Sequence, residues 1–184
     1  MRDTPKDERI VYDVTVESMF FRALKGRISE RCKQRLKAAG LDLDAKLKPS
    51  YSRDVWQQCL RIAVEEVYPS VPEAQAFREL GERVADSLRE TTMGPAIMGM
   101  LRLLGPKRGL KRMTQNFEYA NNYNQTKLEE LGPNSFRLWI NEAGISPHFI
   151  AGTVSAVLKA AGAPNAKIEI ERFDGQECTY LISF

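Results

Sequence analysis

Asp174-Gly175 sits between two alternating runs, AKIEIERF and QECTYLISF. Asp-Gly tolerates the left-handed backbone that a tight hairpin needs, and the twist of such a turn matches that of its flanking strands. A period of two places Ile168 and Ile170 on one face of the first strand. It places Cys178, Tyr180, Ile182 and Phe184 on one face of the second. Upstream, NYNQTKLEEL and SFRLWINEA flank Gly132-Pro133-Asn134, and Phe136, Leu138 and Ile140 alternate with Arg137, Trp139 and Asn141. Between the two hairpins PHFIAGTVSAVLKAAG reads as a helix, opened by Ser146-Pro147 and closed by Gly162. The last third therefore reads β-β-α-β-β. Antiparallel strands with one apolar face must bury that face, which limits the folds open to the chain.

Cover for the sheet has to come from residues 1–117. Residues 10–16 read as a short strand, followed by the helical run ESMFFRALKG, which stops at Gly26. Ser29 caps ERCKQRLKAAG, Ser52 caps RDVWQQCLRIAVEEVY, and Pro72 suits the first position of the helix that continues to about Glu90. Pro95 is expected to break or kink the helical run around it. AIMGMLRLLG is apolar nearly all round and is expected to be a buried helix, with Gly99 admitting another backbone closely. Gly105-Pro106 punctuates it before KRGLKRMTQNF starts a further short helix. The fold class expected is α+β, a single domain over 1–184. Its helical half, 1–117, packs on a four-stranded antiparallel sheet half, 118–184.

A formal charge of +3 gives no strong field for nucleic acid. Three scattered cysteines, Cys32, Cys59 and Cys178, do not make a disulfide framework. His148 is the one histidine, so neither HExxH nor a histidine cage exists, and GxSxG, Walker and GxGxxG motifs are absent. No catalytic residue and no metal ligand set emerges. MRDTPKDERI lacks the apolar core of a secretory signal, and no apolar run reaches the ~18 residues of a membrane span. A cytoplasmic location is the expectation.

Two constellations stand out as candidate sites. Met98, Leu101, Trp139, Phe149 and Tyr180 are candidates to line a cavity between helices and sheet, since methionine and aromatic side chains adapt to a mostly apolar ligand. Lys107, Arg108, Lys111 and Arg112 share one helical face and form a candidate anion or partner site. Asn121, Asn122, Tyr123 and Asn124 read as local turn hydrogen bonding or as a polar contact for a ligand. His148, in the first turn of its helix, reads as a surface residue or a proton-responsive one. Glu129, Glu130, Glu142 and Asp174 suggest no acid-base pair.

The string LRLLGPKRGLKRMTQNFEYANNYNQTKLEELGPNSFRLWINEAG, followed by PHFIAG, AAGA and FDGQECTYLISF, resembles a myxobacterial paralogous family of small proteins of unknown function. ESMFFRALKGRI and AGLDLDAKLKPSYSRDVW extend the resemblance over nearly the whole chain. The order of elements is also similar to a superfamily of haem-nitric-oxide sensor domains, four-vinyl-reductase-type sensors and Bet3-like vesicle-tethering subunits. That similarity implies an apolar ligand held between helices and sheet, and dimerisation. The chain departs from the haem binders, since no histidine precedes His148 and Asn122–Thr126 lacks their Tyr-x-Ser-x-Arg motif, so haem of the histidine-ligated kind is not expected. The expected function is that of a non-enzymatic, homodimeric sensor or adaptor for a small apolar molecule or a partner protein, without cofactor. The alternative is a nucleotide or nucleic-acid binder using residues 107–112.

Overall fold

The computed structural model describes residues 4–184, the side chains of 116 and 118 apart. The order of elements begins with β1 (Ile10–Tyr12), α1 (Asp13–Glu17) and a π-helical turn, Ser18–Ala23. It continues with α2 (Glu30–Ala38), β2 (Ser50–Ser52), α3 (Arg53–Val67), α4 (Glu73–Ser87) and α5 (Gly94–Asn116). The chain closes with β3 (Thr126–Gly132), β4 (Ser135–Ile140), α6 (Pro147–Ala160), β5 (Lys167–Phe173) and β6 (Cys178–Ser183). The expected α+β class and the β-β-α-β-β order are both present.

The four long strands form one antiparallel sheet in the order β3-β4-β6-β5, so the two hairpins join along β4 and β6. Leu138 lies opposite Tyr180 and Leu128, and Phe136 opposite Ile182, which puts the apolar alternation on one face. That face packs against α6, whose Ile150, Ala151, Val154 and Leu158 are buried. Asp174 Oδ1 accepts the Gln176 and Glu177 amides, which closes the second hairpin. β1 and β2 pair separately over three residues each.

The capping residues act as their chemistry requires. Ser29, Ser52 and Ser146 accept backbone N–H groups of Cys32, Val55 and His148. One expected boundary moves: the strand stops at Tyr12, because β2 is too short to pair beyond it, and Asp13 opens a helix.

Apolar side chains gather in two clusters. One belongs to the helical half, from Val11 through Phe77 and Leu80 to Tyr123; the other joins Leu110 and Met113 of α5, α6 and the inner sheet face. Phe149 packs against both. The clusters are held together where α4 crosses α6. A Cβ on Gly81 would overlap the carbonyl oxygen of Phe149, and one on Gly152 the carbonyl oxygen of Arg78, so only glycine permits this crossing.

The first half of α5 departs from expectation. Pro95 lies in its first turn, where the missing N–H costs nothing, and the interruption falls at Gly105 (φ 72°, ψ 171°). The helix is not buried: Leu103 is 91% exposed, while Leu101 points inward. Gly99 has nothing within 4 Å of its Cβ position, so the close approach expected there belongs to Gly81 and Gly152 instead. The reason is positional. This segment forms one wall of a cavity, so one side of it meets protein and the others meet water.

Candidate functional site

A cavity of about 420 Å³ lies between the two clusters. Val11, Met19, Trp56 and Leu60 contribute from the helical half, and Met113, Ala143 and Ile150 from the other. Val84, Ala85 and Leu88 near the end of α4 form one side, and Ile97, Met100 and Leu101 of α5 another. Exposed Val14, Arg112 and Tyr119 also line it, marking where it opens to solvent. The lining is predominantly apolar and includes three thioethers, Met19, Met100 and Met113, whose unbranched chains adjust to varied shapes.

The π-helical turn presents Ser18 and Met19 to this cavity. Its wider turn is closed by the Leu24 N–H donating to the Met19 carbonyl at 3.0 Å. Such turns are uncommon and often accompany functional sites. Trp56 is braced behind the lining by an edge-on contact with Phe20, ring centres 6.4 Å apart.

One end of the cavity is polar. Glu142, in the loop after β4, is 1% exposed and accepts hydrogen bonds at 3.1 Å from both Arg9 and Arg53. Gln57 reaches the same carboxylate. A buried carboxylate facing two guanidiniums is stable only while the set is complete, since desolvating each charge is expensive. Arg9 also lies 5.9 Å from the ring centre of Tyr123, whose phenol burial pushes above its ordinary range. Asn121 Oδ1 accepts the Tyr123 and Asn124 amides, and Asn122 clasps the Ile10 N–H and the Glu8 carbonyl. The asparagine cluster is thus mainly turn and strand anchoring, although the side-chain carbonyl oxygen of Asn124 is buried without a partner among the described residues.

Of the five expected cavity residues, Leu101 and Phe149 line it. Met98 is half-buried on α5 but does not border the cavity. Trp139 lies on the opposite face of the sheet, where its indole N–H donates to Glu177 and Lys127 sits over its ring at 5.0 Å. The alternation that buries Leu138 and Ile140 puts Trp139 outside, beside Arg137 and its partners Glu129 and Glu171. Tyr180 is fully buried under α6 and donates to the Pro147 carbonyl at 2.9 Å. The Glu142–Arg9–Arg53 set was not legible: its members come from three distant segments, and no spacing links them.

The basic residues lie on α5 beyond Gly105, all four exposed. Lys107 is paired with Glu130 of β3, and Arg112 reaches the rim of the cavity. His148 is half-buried at the α4–α6 crossing, and burial together with the Arg78 charge lowers its pKa from 6.5. The three thiols are free and buried; burial pushes that of Cys59 up to about 12, so it stays protonated at neutral pH.

The profile of the family described as "Protein of unknown function (DUF2378)" matches residues 9–184. The chain belongs to this family. No curated protein matches the DUF2378 chain by sequence. Solved structures that share its fold include H-NOX proteins. The Fe(II) unliganded H-NOX protein from K. algicida is 14% identical, with a TM-score of 0.62 over 92% of this chain and 94% of that one. An oxygen-binding H-NOX domain related to soluble guanylate cyclases, in its oxygen complex, is 13% identical, with a TM-score of 0.63 over 93% of each chain. A third, from work on haem redox potential and porphyrin distortion, is 13% identical, with a TM-score of 0.59 over 94% of this chain and 99% of that one. At these identities the likeness shows the fold. Among the described residues no helix of the DUF2378 chain is long and apolar enough to cross a membrane.

Proposed function

We propose that this protein is a non-enzymatic sensor domain that binds a small, largely apolar molecule in the cavity between its two halves. The observation that carries this reading is the cavity itself. Its roughly 420 Å³ falls within the range of about 300–1,000 Å³ typical of small-molecule sites, and it is apolar over most of its lining. The H-NOX likeness supports a sensing role, because ligand-holding domains share this architecture.

The haem of such relatives is not carried over. Axial haem ligands are chiefly histidine or cysteine, with methionine and tyrosine as further types. Among the described residues the cavity lining has no histidine and no cysteine. The residues present do not fit a haem held through an imidazole. Glu142, the acidic group of the described lining, is engaged by two guanidiniums, which favours binding over acid-base chemistry.

Signalling would follow from the construction of the walls. A ligand touching Leu101 and Met100 stabilises one position of α5 against the rest, and the exposed face of α5 transmits that choice to a second copy of the chain. Native mass spectrometry of protein purified from its own cell tests both halves of the proposal, since it reports bound mass and stoichiometry together. A co-purifying apolar molecule, displaced in Leu101→Trp, is expected. A chain that emerges without any bound molecule, and binds no apolar probe, removes the proposal.

A further inference from the structure

The charges around the cavity narrow the class of molecule that fits it. Among the described residues, the side chains charged at neutral pH that line it are Glu142 and Arg112. Glu142 is enclosed by Arg9 and Arg53, so its charge is not available to a ligand. Arg112 is the opposite case. It is exposed at the rim and makes no hydrogen bond or ion pair with any of the described residues.

Its surroundings reinforce its sign. Residues 91–117 contain no Asp or Glu, while Arg102, Lys107, Arg108, Lys111 and Arg112 all lie on this stretch. Lys107 alone among them has an acidic partner among the described residues, Glu130. Among the described residues the opening therefore carries positive charge without an acidic partner, on Arg112, and apolar Val11, Met19, Trp56, Leu60 and Ile150 lie inside it. Guanidinium presents a planar fork of donors matched to carboxylate or phosphate oxygens.

We infer that the ligand is a single-chain anionic amphiphile, with its apolar tail in the cavity and its acidic head group on the Arg112 guanidinium. This rests on the cavity being the ligand site. It adds the polarity and the orientation of the molecule: head at the α5 rim, tail toward Trp56.

Dodecanoate and dodecanol test it, since they share a tail and differ in charge. Trp56 fluorescence reports binding in a Trp139→Phe background, because Trp139 lies on the outer sheet face. Dodecanoate should bind about tenfold more tightly than dodecanol, the value of one charge-assisted contact. Arg112→Gln should bring the two affinities together without weakening dodecanol. Lys111→Gln, exposed and off the lining, should leave the ratio as it was. An unchanged ratio in Arg112→Gln overturns the inference. So does an equal loss in Lys111→Gln, which would mean a diffuse surface field. Retention on phosphatidylglycerol vesicles without binding of free dodecanoate also overturns it, in favour of a membrane surface. Binding of dodecanol with no preference for the acid removes the head-group assignment alone. If neither probe binds, the cavity reading itself fails.

Discussion

The α4–α6 crossing and the first half of α5 each contain glycine within a helix, and they behave in opposite ways. At the crossing, Gly81 and Gly152 let two backbones meet with no room for a methyl group. On α5, Gly99 faces open space and Leu103 is 91% exposed. One region is a rigid spine that fixes the two halves of the molecule against each other. The other is a wall supported on one side only, beside a cavity. A wall of that kind has few buried contacts to lose when it moves, so a sensor of this design would respond through α5 and keep its shape through α4 and α6.

Substitutions should separate the two. The largest effect is expected on the fixed side of the cavity, where Glu142→Ala leaves Arg9 and Arg53 without their shared carboxylate. A loss of about 3–5 kcal/mol in urea unfolding is expected, and a loss below about 1 kcal/mol would show that water reaches these groups. Gly152→Ala should cost about 3 kcal/mol, because the neighbour to be displaced is backbone and not a flexible side chain. Leu101→Ala should cost about 2 kcal/mol, the low end for a buried leucine, since the cavity already borders it. Gly99→Ala should stabilise by about 0.5–1 kcal/mol, because helix propensity is the term that changes on an open face. Equal losses at Gly99 and Gly152 would abolish the distinction between spine and wall.

The smallest expected effect is a pH dependence at the crossing. His148 has its pKa lowered in the fold by burial and by Arg78, so the unfolded chain binds the proton more readily. Stability should fall as pH drops below about 6.5, the ordinary imidazole value, and this fall should shrink in His148→Gln. A wild-type curve that is flat between about pH 7 and 5, or identical to that of the variant, would place the imidazole in an environment like water.

Local chemistry alone determined a good deal of this protein. Caps at Ser29, Ser52 and Ser146, the Asp174-Gly175 turn and the alternation of Phe136, Leu138 and Ile140 act over a few residues, so the elements and the α+β class were readable. The same alternation already placed Trp139 opposite the buried leucines; its size and polarity suggested a pocket, and its parity put it outside. Tertiary structure decided the rest. Which glycine meets a backbone depends on where another helix passes, not on how apolar the flanking residues are. Glu142 finds Arg9 and Arg53 only when three segments far apart in the chain come together, and the cavity exists only where two separately packed clusters fail to close. Such features are sums over distant contacts, and no window along the chain contains them.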